Sequence, residues 1–517
     1  MHPLAKLDHA HVWHPFTQMR DWLKREPIVI VSGKGAVLRG VKGEEYLDAN
    51  SSIWTNLHGH RHPKIDGAIQ RQLQKIAHSS ALGLASEPAA LLGARLVTIA
   101  NCRLPIANSP KPRADANRQS ASRNRQFSKV FFSDDGSTAM EVALKLAHEY
   151  ARRLRGLKRP KFLSLQGAYH GDTVGAVSLG HIDLFHKSYA GLLFKTDKVM
   201  APYCYRCPFN RARPERADSR NYRKCNWECV GKVEQAFTEQ KKRGEPYAAF
   251  VFEPLMQGAA GMIPQPSGWL RKATDIARGH GAVLIADEVM TGFGRTGFQP
   301  VPNGDGTRQS VAGKHSKGVE QVWDGLEACP ALFACQHEGV QPDFLALAKG
   351  LTGGYVPMAA TLTTQEVFNS FLGEYEEFKS FFHGHSYTGN QLGAAAALAS
   401  LDVLQSRASL QARARLQRTL RDELETLWPL PNVGDIRQVG LIAGIELVKD
   451  WRTREPFDLR ERAGIRVCEA MARRGVLTRP IGNVIVLMPP YCMTTAQTRC
   501  MVAALRESIA NVFGQGK

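Results

Sequence analysis

The stretch "QPDFLALAKGLTGGY", residues 341–355, contains an apolar run, Phe344 to Ala348, that ends at Lys349 and is followed at once by glycines. The run is short and does not alternate with polar residues, which is typical of a strand buried on both faces. Lysine is rarely buried, yet this one directly follows five uncharged residues. The sequence therefore predicts a strand whose carboxyl end carries a lysine with a specific purpose.

Similar runs occur earlier in the chain, with helical patterns between them. They are "KVFFS" (129–133), "KFLSLQ" (161–166), "AAFVFEP" (248–254) and "AVLIADEV" (282–289). Alternation of strands and helices predicts an α/β fold, with a mostly parallel sheet covered by helices. Ligands of such sheets bind beyond the carboxyl ends of the strands.

The pattern changes after about residue 372, where helical segments flank short strands, as in a small α+β domain. We predict a large domain over 61–372, a small domain over 373–517, and an N-terminal segment, 1–60, that packs with the small domain. Two stretches, 105–127 and 299–331, have the low hydrophobicity of surface insertions.

The composition is that of a soluble globular protein, because 43% of the 517 residues are hydrophobic and 22% are charged. No apolar run reaches the roughly 18 residues of a membrane span. The N-terminus lacks the apolar region of a secretory signal, so we expect a cytoplasmic protein. The formal charge of +19 lies largely in basic segments without interleaved aromatic residues, which favours a solvated surface over nucleic-acid binding.

Four of the ten cysteines form a cluster in the sequence. Cys204, Cys207, Cys225 and Cys229 have the spacing C-x2-C, 17 residues, C-x3-C, which could hold a structural zinc ion. The alternative is a set of free thiols in a reducing compartment. Both interpretations remain open, and we assign no metal to the functional site.

Polar residues at two other strand ends suggest binding groups. Asp287 ends "GAVLIAD" and either caps a turn or pairs with a buried cation such as a protonated pyridine nitrogen. Gly136 and Ser137 lie between a strand and a helix, where free N–H groups attract an anion such as a phosphate. A plain helix cap would have the same sequence.

Two further residues complete the pattern. Tyr169, in "GAYHGDT", is either a loop residue or an aromatic side chain that covers a flat ring. Lys349 either extends its amine to solvent or presents it, with a lowered pKa, to a carbonyl group. Together, an amine for an aldehyde, a carboxylate for a pyridinium, a phosphate site and a ring cover describe pyridoxal 5′-phosphate.

The segments "LIADEVMTGFGRTG" and "PDFLALAKGLTGGYVPMAA" closely resemble the central signature of the fold-type I, class III aminotransferases. Other segments, including "HVWHPFTQM" (11–19), "FFHGHSYTGN" (381–390) and "LTRPIGNVIVLMPP" (477–490), resemble the subfamily that aminates 8-amino-7-oxononanoate in biotin synthesis. The resemblance implies a pyridoxal phosphate-dependent transaminase that produces 7,8-diaminononanoate. It also implies a homodimer with the active site at the interface.

The resemblance assigns cofactor roles by position. Lys349 would bind the aldehyde of pyridoxal 5′-phosphate and move the substrate's proton, while Asp287 would pair with the pyridinium. Gly136 and Ser137 would bind the phosphate, and Tyr169 would stack on or beside the ring.

Further roles follow in the same way. Glu253 would support the hydroxyl side of the cofactor, and His385 and Ser386 would complete the phosphate site from the other subunit. Gly384 would line the substrate site. Arg479 would bind the substrate carboxylate, for which a planar guanidinium is well suited.

The amino donor remains open between S-adenosylmethionine and lysine. The branch that uses S-adenosylmethionine has a tyrosine at the position of Phe16, a Trp-Trp pair at Ile53 and Trp54, and a tyrosine at Val486. These substrate-facing positions therefore depart from that branch. Other class III ω-aminotransferases or aminomutases are the nearest alternatives; an RNA-binding or zinc-ribbon module would leave Lys349 and Asp287 unexplained.

Overall fold

The structure is a computed structural model that describes residues 1–102, 125–297 and 331–514. The two predicted insertions, 105–127 and 299–331, therefore lie almost entirely outside the described residues. Within the described residues, no helix is long and apolar enough to cross a membrane.

The strands group into one large and three smaller sheets. They are β1 (Ile30–Lys34), β2 (Val37–Gly40), β3 (Glu45–Asp48), β4 (Phe127–Ser133), β5 (Lys161–Leu165), β6 (Asp197–Val199), β7 (Tyr247–Phe252), β8 (Met256–Gln257), β9 (Ile263–Pro264), β10 (Val283–Asp287), β11 (Phe344–Leu347), β12 (Ala359–Thr364), β13 (Val433–Val439), β14 (Ile442–Asp450), β15 (Glu455–Pro456), β16 (Val476–Leu477), β17 (Pro480–Ile481) and β18 (Val484–Leu487).

The large sheet has seven strands in the order β4-β12-β11-β10-β7-β5-β6. Only β12 runs antiparallel to its neighbours. Strands β7, β10 and β11 are buried along their whole length, as their unbroken apolar runs predict. The predicted α/β class with a mostly parallel sheet is therefore confirmed.

Helices cover the sheet and form the periphery. Those of eight or more residues are Pro3–His11, Pro63–Lys75, Glu87–Ala100, Gly136–Arg155, Glu228–Lys242, Trp269–Gly279, Gln391–Gln405, Arg407–Glu425, Ala463–Ala472 and Thr495–Val512. Shorter ones are Met19–Trp22, Val174–Leu179, Asp183–His186, Ser219–Tyr222, Ala334–His337 and Gln365–Asn369.

Helix Gly136–Arg155 is the one that positions the functional site. It begins where β4 ends, at a capping box. The Asp135 carboxylate accepts a hydrogen bond from Thr138 N (2.9 Å), and Thr138 Oγ1 accepts one from Asp135 N. It ends at Gly156, whose φ of 64° is left-handed. Its buried apolar face packs on the large sheet, so its N-terminus is fixed at the carboxyl edge.

The smaller sheets join the two ends of the chain. Strands β13, β14, β18 and β17 form one sheet, with β15 paired to β14. In another, β1, β2 and β3 are followed by β16, with Leu47 opposite Val476 and Asp48 opposite Leu477. The N-terminal strands thus pair directly with a strand from the last fifty residues.

Candidate active site

A cavity of about 420 Å³ lies at the carboxyl edge of the large sheet. The lining includes residues that end or directly follow β4, β7, β10 and β11, and residues of the loop after β5. The predicted residues that line it are Trp54, Gly136, Ser137, Tyr169, Glu253, Asp287 and Lys349. Neighbouring parallel strands end at one edge, so residues far apart in the chain converge there.

Lys349 is one of the residues that line this cavity. It directly follows Ala348 at the end of β11 and has a left-handed backbone, with φ at 43°. Its Nζ lies 4.9 Å from the centre of the Trp54 ring. Burial lowers the pKa of the Lys349 amine, although the nearby Asp287 and Glu253 carboxyl groups oppose that effect. A lowered pKa increases the fraction of neutral, nucleophilic amine.

Asp287 is held by two hydrogen bonds in a nearly closed environment. Its Oδ1 accepts from Val289 N (3.0 Å), and its Oδ2 accepts from His170 Nδ1 (2.8 Å). The side chains of Asp287 and His170 are 7% and 0% exposed. Two donors therefore fix the orientation of this carboxyl group, whose remaining lone pairs can accept from a ring N–H.

His170 was not predicted as a functional residue, although it adjoins Tyr169 in "GAYHGDT". Its Nδ1 donates to Asp287, and its buried Nε2 has no hydrogen-bond partner among the described residues. The only sequence signal was its place in a loop after a strand. His170 and Asp287 are 117 positions apart in the chain, so no local pattern could reveal the contact.

The first turn of helix Gly136–Arg155 provides an anion site. A Cβ added to Gly136 would lie 2.7 Å from a methyl carbon of Val289, so only glycine fits there. Ser137 Oγ accepts a hydrogen bond from Asp172 N (3.1 Å), which leaves its own hydrogen free to donate. The free N–H groups of the turn and this hydroxyl can bind a phosphate.

Tyr169 and Glu253 form the opposite wall. Tyr169 Oη donates to Asp172 Oδ2 (2.6 Å), and Tyr169 N donates to Glu253 Oε1 (3.2 Å). Glu253 also accepts from Gly258 N (2.8 Å). Burial, reinforced by the nearby Asp287 charge, raises the pKa of Glu253 to about 7, despite the backbone donors and the neighbouring His170. Glu253 is therefore a carboxyl group that can carry a proton at neutral pH.

The mouth of the cavity carries the predicted substrate-facing residues. Phe16 is 61% exposed, and its ring packs edge-on to Phe185 (5.3 Å) and Tyr169 (6.5 Å). Ile53 is 46% exposed, whereas Trp54 reaches into the cavity.

The backbone here is unusual, because Ser51, Ser52, Ile53 and Trp54 all have positive φ, from 46° to 67°. A left-handed conformation costs roughly 1–2 kcal/mol per non-glycine residue. The segment contains no glycine, so no residue in it signals a left-handed turn.

Six predicted residues do not line the cavity of this chain: Phe16 and Ile53, described above, and Gly384, His385, Ser386 and Arg479. Arg479 is exposed and precedes β17. His385 Nδ1 hydrogen-bonds to Asp134 Oδ2 (2.9 Å) at the cavity rim. Ser386 and Gly384 are exposed. The predicted contribution of His385 and Ser386 to another subunit's site stays a prediction.

The four clustered cysteines lie apart from the cavity. Cys204, Cys207, Cys225 and Cys229 are all free thiols. Burial raises the pKa of Cys204 to about 12 and that of Cys229 to about 11. Within residues 1–102, 125–297 and 331–514, no group of three or more His, Cys, Asp or Glu side chains is positioned to hold a metal ion.

The groups in the cavity match pyridoxal 5′-phosphate. The amine of Lys349 can bind its aldehyde, Asp287 its ring nitrogen, and the helix start its phosphate. Tyr169 and Glu253 lie where they can cover the ring and its hydroxyl side. The volume is also within the range of about 300–1,000 Å³ for small-molecule pockets.

Comparison with known proteins supports this assignment. The family model of class III aminotransferases matches residues 19–299 and 320–509. An adenosylmethionine-8-amino-7-oxononanoate aminotransferase of Nitratidesulfovibrio vulgaris is 45% identical over 515 residues, covering 99% of this chain and 82% of the relative. The protein of that name from Geobacter sulfurreducens is 43% identical over 511 residues, covering 99% and 98%.

Solved structures agree in fold. The crystal structure of adenosylmethionine-8-amino-7-oxononanoate aminotransferase from Methanocaldococcus jannaschii has a TM-score of 0.80 and 37% identity, covering 98% of each chain. A PLP-bound amine transaminase from an uncultivated Pseudomonas species has a TM-score of 0.78 and 29% identity, covering 96% of this chain and 98% of the other.

Proposed function

Since the chain belongs to the class III aminotransferases, which use pyridoxal 5′-phosphate, we propose that it transfers an amino group to 8-amino-7-oxononanoate in biotin synthesis, with S-adenosylmethionine as donor. The product would be 7,8-diaminononanoate. The choice of acceptor rests on the similarity, over nearly the whole chain, to five adenosylmethionine-8-amino-7-oxononanoate aminotransferases that are 39% to 45% identical to it.

Bound pyridoxal 5′-phosphate supplies an aldehyde that carries the amino group and a ring that accepts electrons. We propose that Lys349 Nζ binds that aldehyde in the resting enzyme. With a substrate amine in its place on the cofactor, Lys349 Nζ would be free to accept a proton from the substrate carbon and to return one. The lowered pKa of Lys349 suits this work, because a neutral amine can accept the proton.

Asp287 would keep the ring nitrogen protonated. Its carboxylate is held by Val289 N and His170 Nδ1, which leaves the remaining lone pairs for a ring N–H. Ser137 and the helix start would bind the phosphate, and Tyr169 and Glu253 would orient the ring.

We also propose a cytoplasmic homodimer with the active site at the interface. Large apolar side chains are exposed in this chain: Leu82 is 91% exposed, Phe382 71% and Tyr387 61%. Exposed apolar surface of this kind is typical of a protein–protein interface. His385 and Ser386, which flank this surface, would reach the phosphate of a second copy.

The substrate would enter past the exposed mouth. Phe16, Ile53, Trp54 and Gly384 would contact its carbon chain. Arg479 would bind its carboxylate, because the planar guanidinium forms paired hydrogen bonds to a carboxylate. Arg479 is exposed, so its guanidinium is accessible to a carboxylate from solvent.

A two-step experiment tests both substrates. The purified holoenzyme is mixed with S-adenosylmethionine or with lysine, and loss of the visible absorbance of the aldehyde form is recorded. The aminated enzyme is then mixed with 8-amino-7-oxononanoate, with pyruvate as a control acceptor. We expect loss with S-adenosylmethionine and recovery with 8-amino-7-oxononanoate. Loss of absorbance with lysine but not with S-adenosylmethionine would overturn the proposed donor. Recovery of absorbance with pyruvate but not with 8-amino-7-oxononanoate would indicate another class III ω-aminotransferase.

A further inference from the structure

The left-handed turn Ser51–Trp54 lies at the mouth of the cavity. Its four φ angles are 46°, 48°, 62° and 67°. The turn presents Ile53 to solvent and directs the Trp54 ring to within 4.9 Å of Lys349 Nζ. A backbone conformation that non-glycine residues disfavour persists only where its surroundings fix it.

Asp48 contributes to that restraint, together with the backbone hydrogen bonds from Trp54 N to Asn50 O and from Thr55 N to Ser51 O (both 2.9 Å). Its Oδ1 accepts from Ser52 N (2.9 Å), and its Oδ2 accepts from Ser52 Oγ (2.8 Å). Asp48 is 3% exposed, so the accepting carboxylate is shielded from bulk water, whereas the donor Ser52 is exposed. The two contacts bind the backbone and side chain of a residue inside the turn to one carboxylate.

A second layer orients this carboxylate. His60 Nε2 donates to Asp48 Oδ2 (3.2 Å), so His60 Nδ1 accepts from Asn56 Nδ2 (3.1 Å). Burial alone would raise the pKa of Asp48, but the donors from His60 and Ser52 outweigh it and lower the pKa. Asp48 therefore stays ionised, and the bonds to the turn are charge-assisted.

The strand that ends in Asp48 pairs with the strand that leads to Arg479. Asp48 ends β3 and lies opposite Leu477 of β16. Leu477 precedes Arg479 by two residues. Ser51 Oγ also donates to the carbonyl oxygen of Met488, just beyond β18 (2.6 Å). The turn is thus anchored to the strands that carry Arg479.

We propose that Asp48 is a positioning residue that holds the left-handed turn and thereby sets where Ile53 and Trp54 contact the substrate's carbon chain. It acts on substrate binding, whereas Lys349 moves the proton. The inference rests on the proposed function, because it takes the acceptor to bind between this turn and Arg479.

The test compares Asp48→Ala and the isosteric Asp48→Asn with wild type, using Asp422→Ala, at an exposed helix position, as the control. We expect Asp48→Ala to raise KM for 8-amino-7-oxononanoate roughly 10- to 100-fold, since small displacements of binding groups have effects of this size. We expect kcat and the visible cofactor absorbance to change little. Asp48→Asn keeps one acceptor and should have a smaller effect on KM.

A second substitution separates positioning from general destabilisation. Glycine adopts positive φ readily, so Ser52→Gly added to Asp48→Ala should return KM toward the wild-type value. An unchanged KM in Asp48→Ala would overturn the proposal. The proposal would also be overturned if Asp48→Ala raised KM, lowered kcat and lost the cofactor, and if adding Ser52→Gly restored neither KM nor kcat. If Asp48→Ala fails to fold, Asp48→Asn with and without Ser52→Gly gives the same comparison.

Failure of the proposed function gives a different result. Wild-type enzyme would then not use 8-amino-7-oxononanoate at all, while its cofactor would still react with other amines. The variants would then be compared with the acceptor that the wild type does use, and the same KM change and its reversal by Ser52→Gly are expected.

Discussion

His170→Phe should impair catalysis without removing the cofactor. The substitution keeps an aromatic ring in a fully buried position but deletes the Nδ1–H that donates to Asp287 Oδ2 at 2.8 Å. A hydrogen bond to a charged group contributes about 1.5–3 kcal/mol. Asp287 keeps one donor, Val289 N, so only this bond is lost.

That loss should weaken the pairing that we propose between the Asp287 carboxylate and a protonated ring nitrogen, whose charge helps the ring to act as an electron sink. If the full bond energy enters the barrier, kcat/KM falls roughly 10- to 150-fold, because about 1.4 kcal/mol corresponds to a factor of ten. His170→Asn is the matched control, since its amide can replace the Nδ1–H donor, and it should retain more activity than His170→Phe.

The assay measures kcat/KM together with the visible spectrum of the bound cofactor. We expect both variants to remain coloured, because Lys349 and the phosphate site are intact, and we expect only His170→Phe to lose most turnover. Equal activity of His170→Phe and wild type would refute the reasoning. Equal losses in both variants would show that ring shape, and not the donated hydrogen bond, is what matters.

Three other predictions concern residues of the same region. Lys349→Ala should abolish both turnover and the visible absorbance of the lysine-bound cofactor, and a coloured, active Lys349→Ala enzyme would contradict its role. Glu253 has a pKa of about 7 in the folded apoprotein against 4.5 as its ordinary value, so the folded state binds more protons and stability falls as pH rises from about 4.5 to 7. Glu253→Gln cannot titrate, so it lacks this pH-dependent loss of stability. The difference in unfolding temperature between Glu253→Gln and wild type should therefore grow in favour of the variant as pH rises from about 4.5 to 7, by up to the equivalent of about 3 kcal/mol. A difference that stays constant with pH would refute the raised pKa. Deletion of 299–331 should leave cofactor binding intact, because Gly294 N donates to Leu332 O (2.9 Å) and holds the flanking segments together; loss of bound cofactor would show that the insertion is structural.

The sequence by itself determined the large sheet and most of the cofactor-binding groups. Unbroken apolar runs such as those of β10 and β11 occur only where both faces of a strand are covered, and hydrophobic burial dominates folding. Parallel strands end at a common edge, so Asp287 and Lys349 could be placed together without knowing the strand order. The resemblance of "ALAKGLTGG" to the class III aminotransferase signature then indicated a transaminase that uses pyridoxal 5′-phosphate.

Tertiary structure alone decided the contacts that tune these groups. The bond between His170 and Asp287 depends on which loops meet above the sheet, and no local pattern records it. Likewise, Ser51–Trp54 is left-handed because Asp48 and its neighbours hold it, against the intrinsic preference of every residue in the turn.

Arg479 lies outside the cavity lining because the pairing of β16 with β3 sets its position. Periodicity and propensity are local properties, whereas side-chain hydrogen bonds between distant segments arise only when those segments pack in one register.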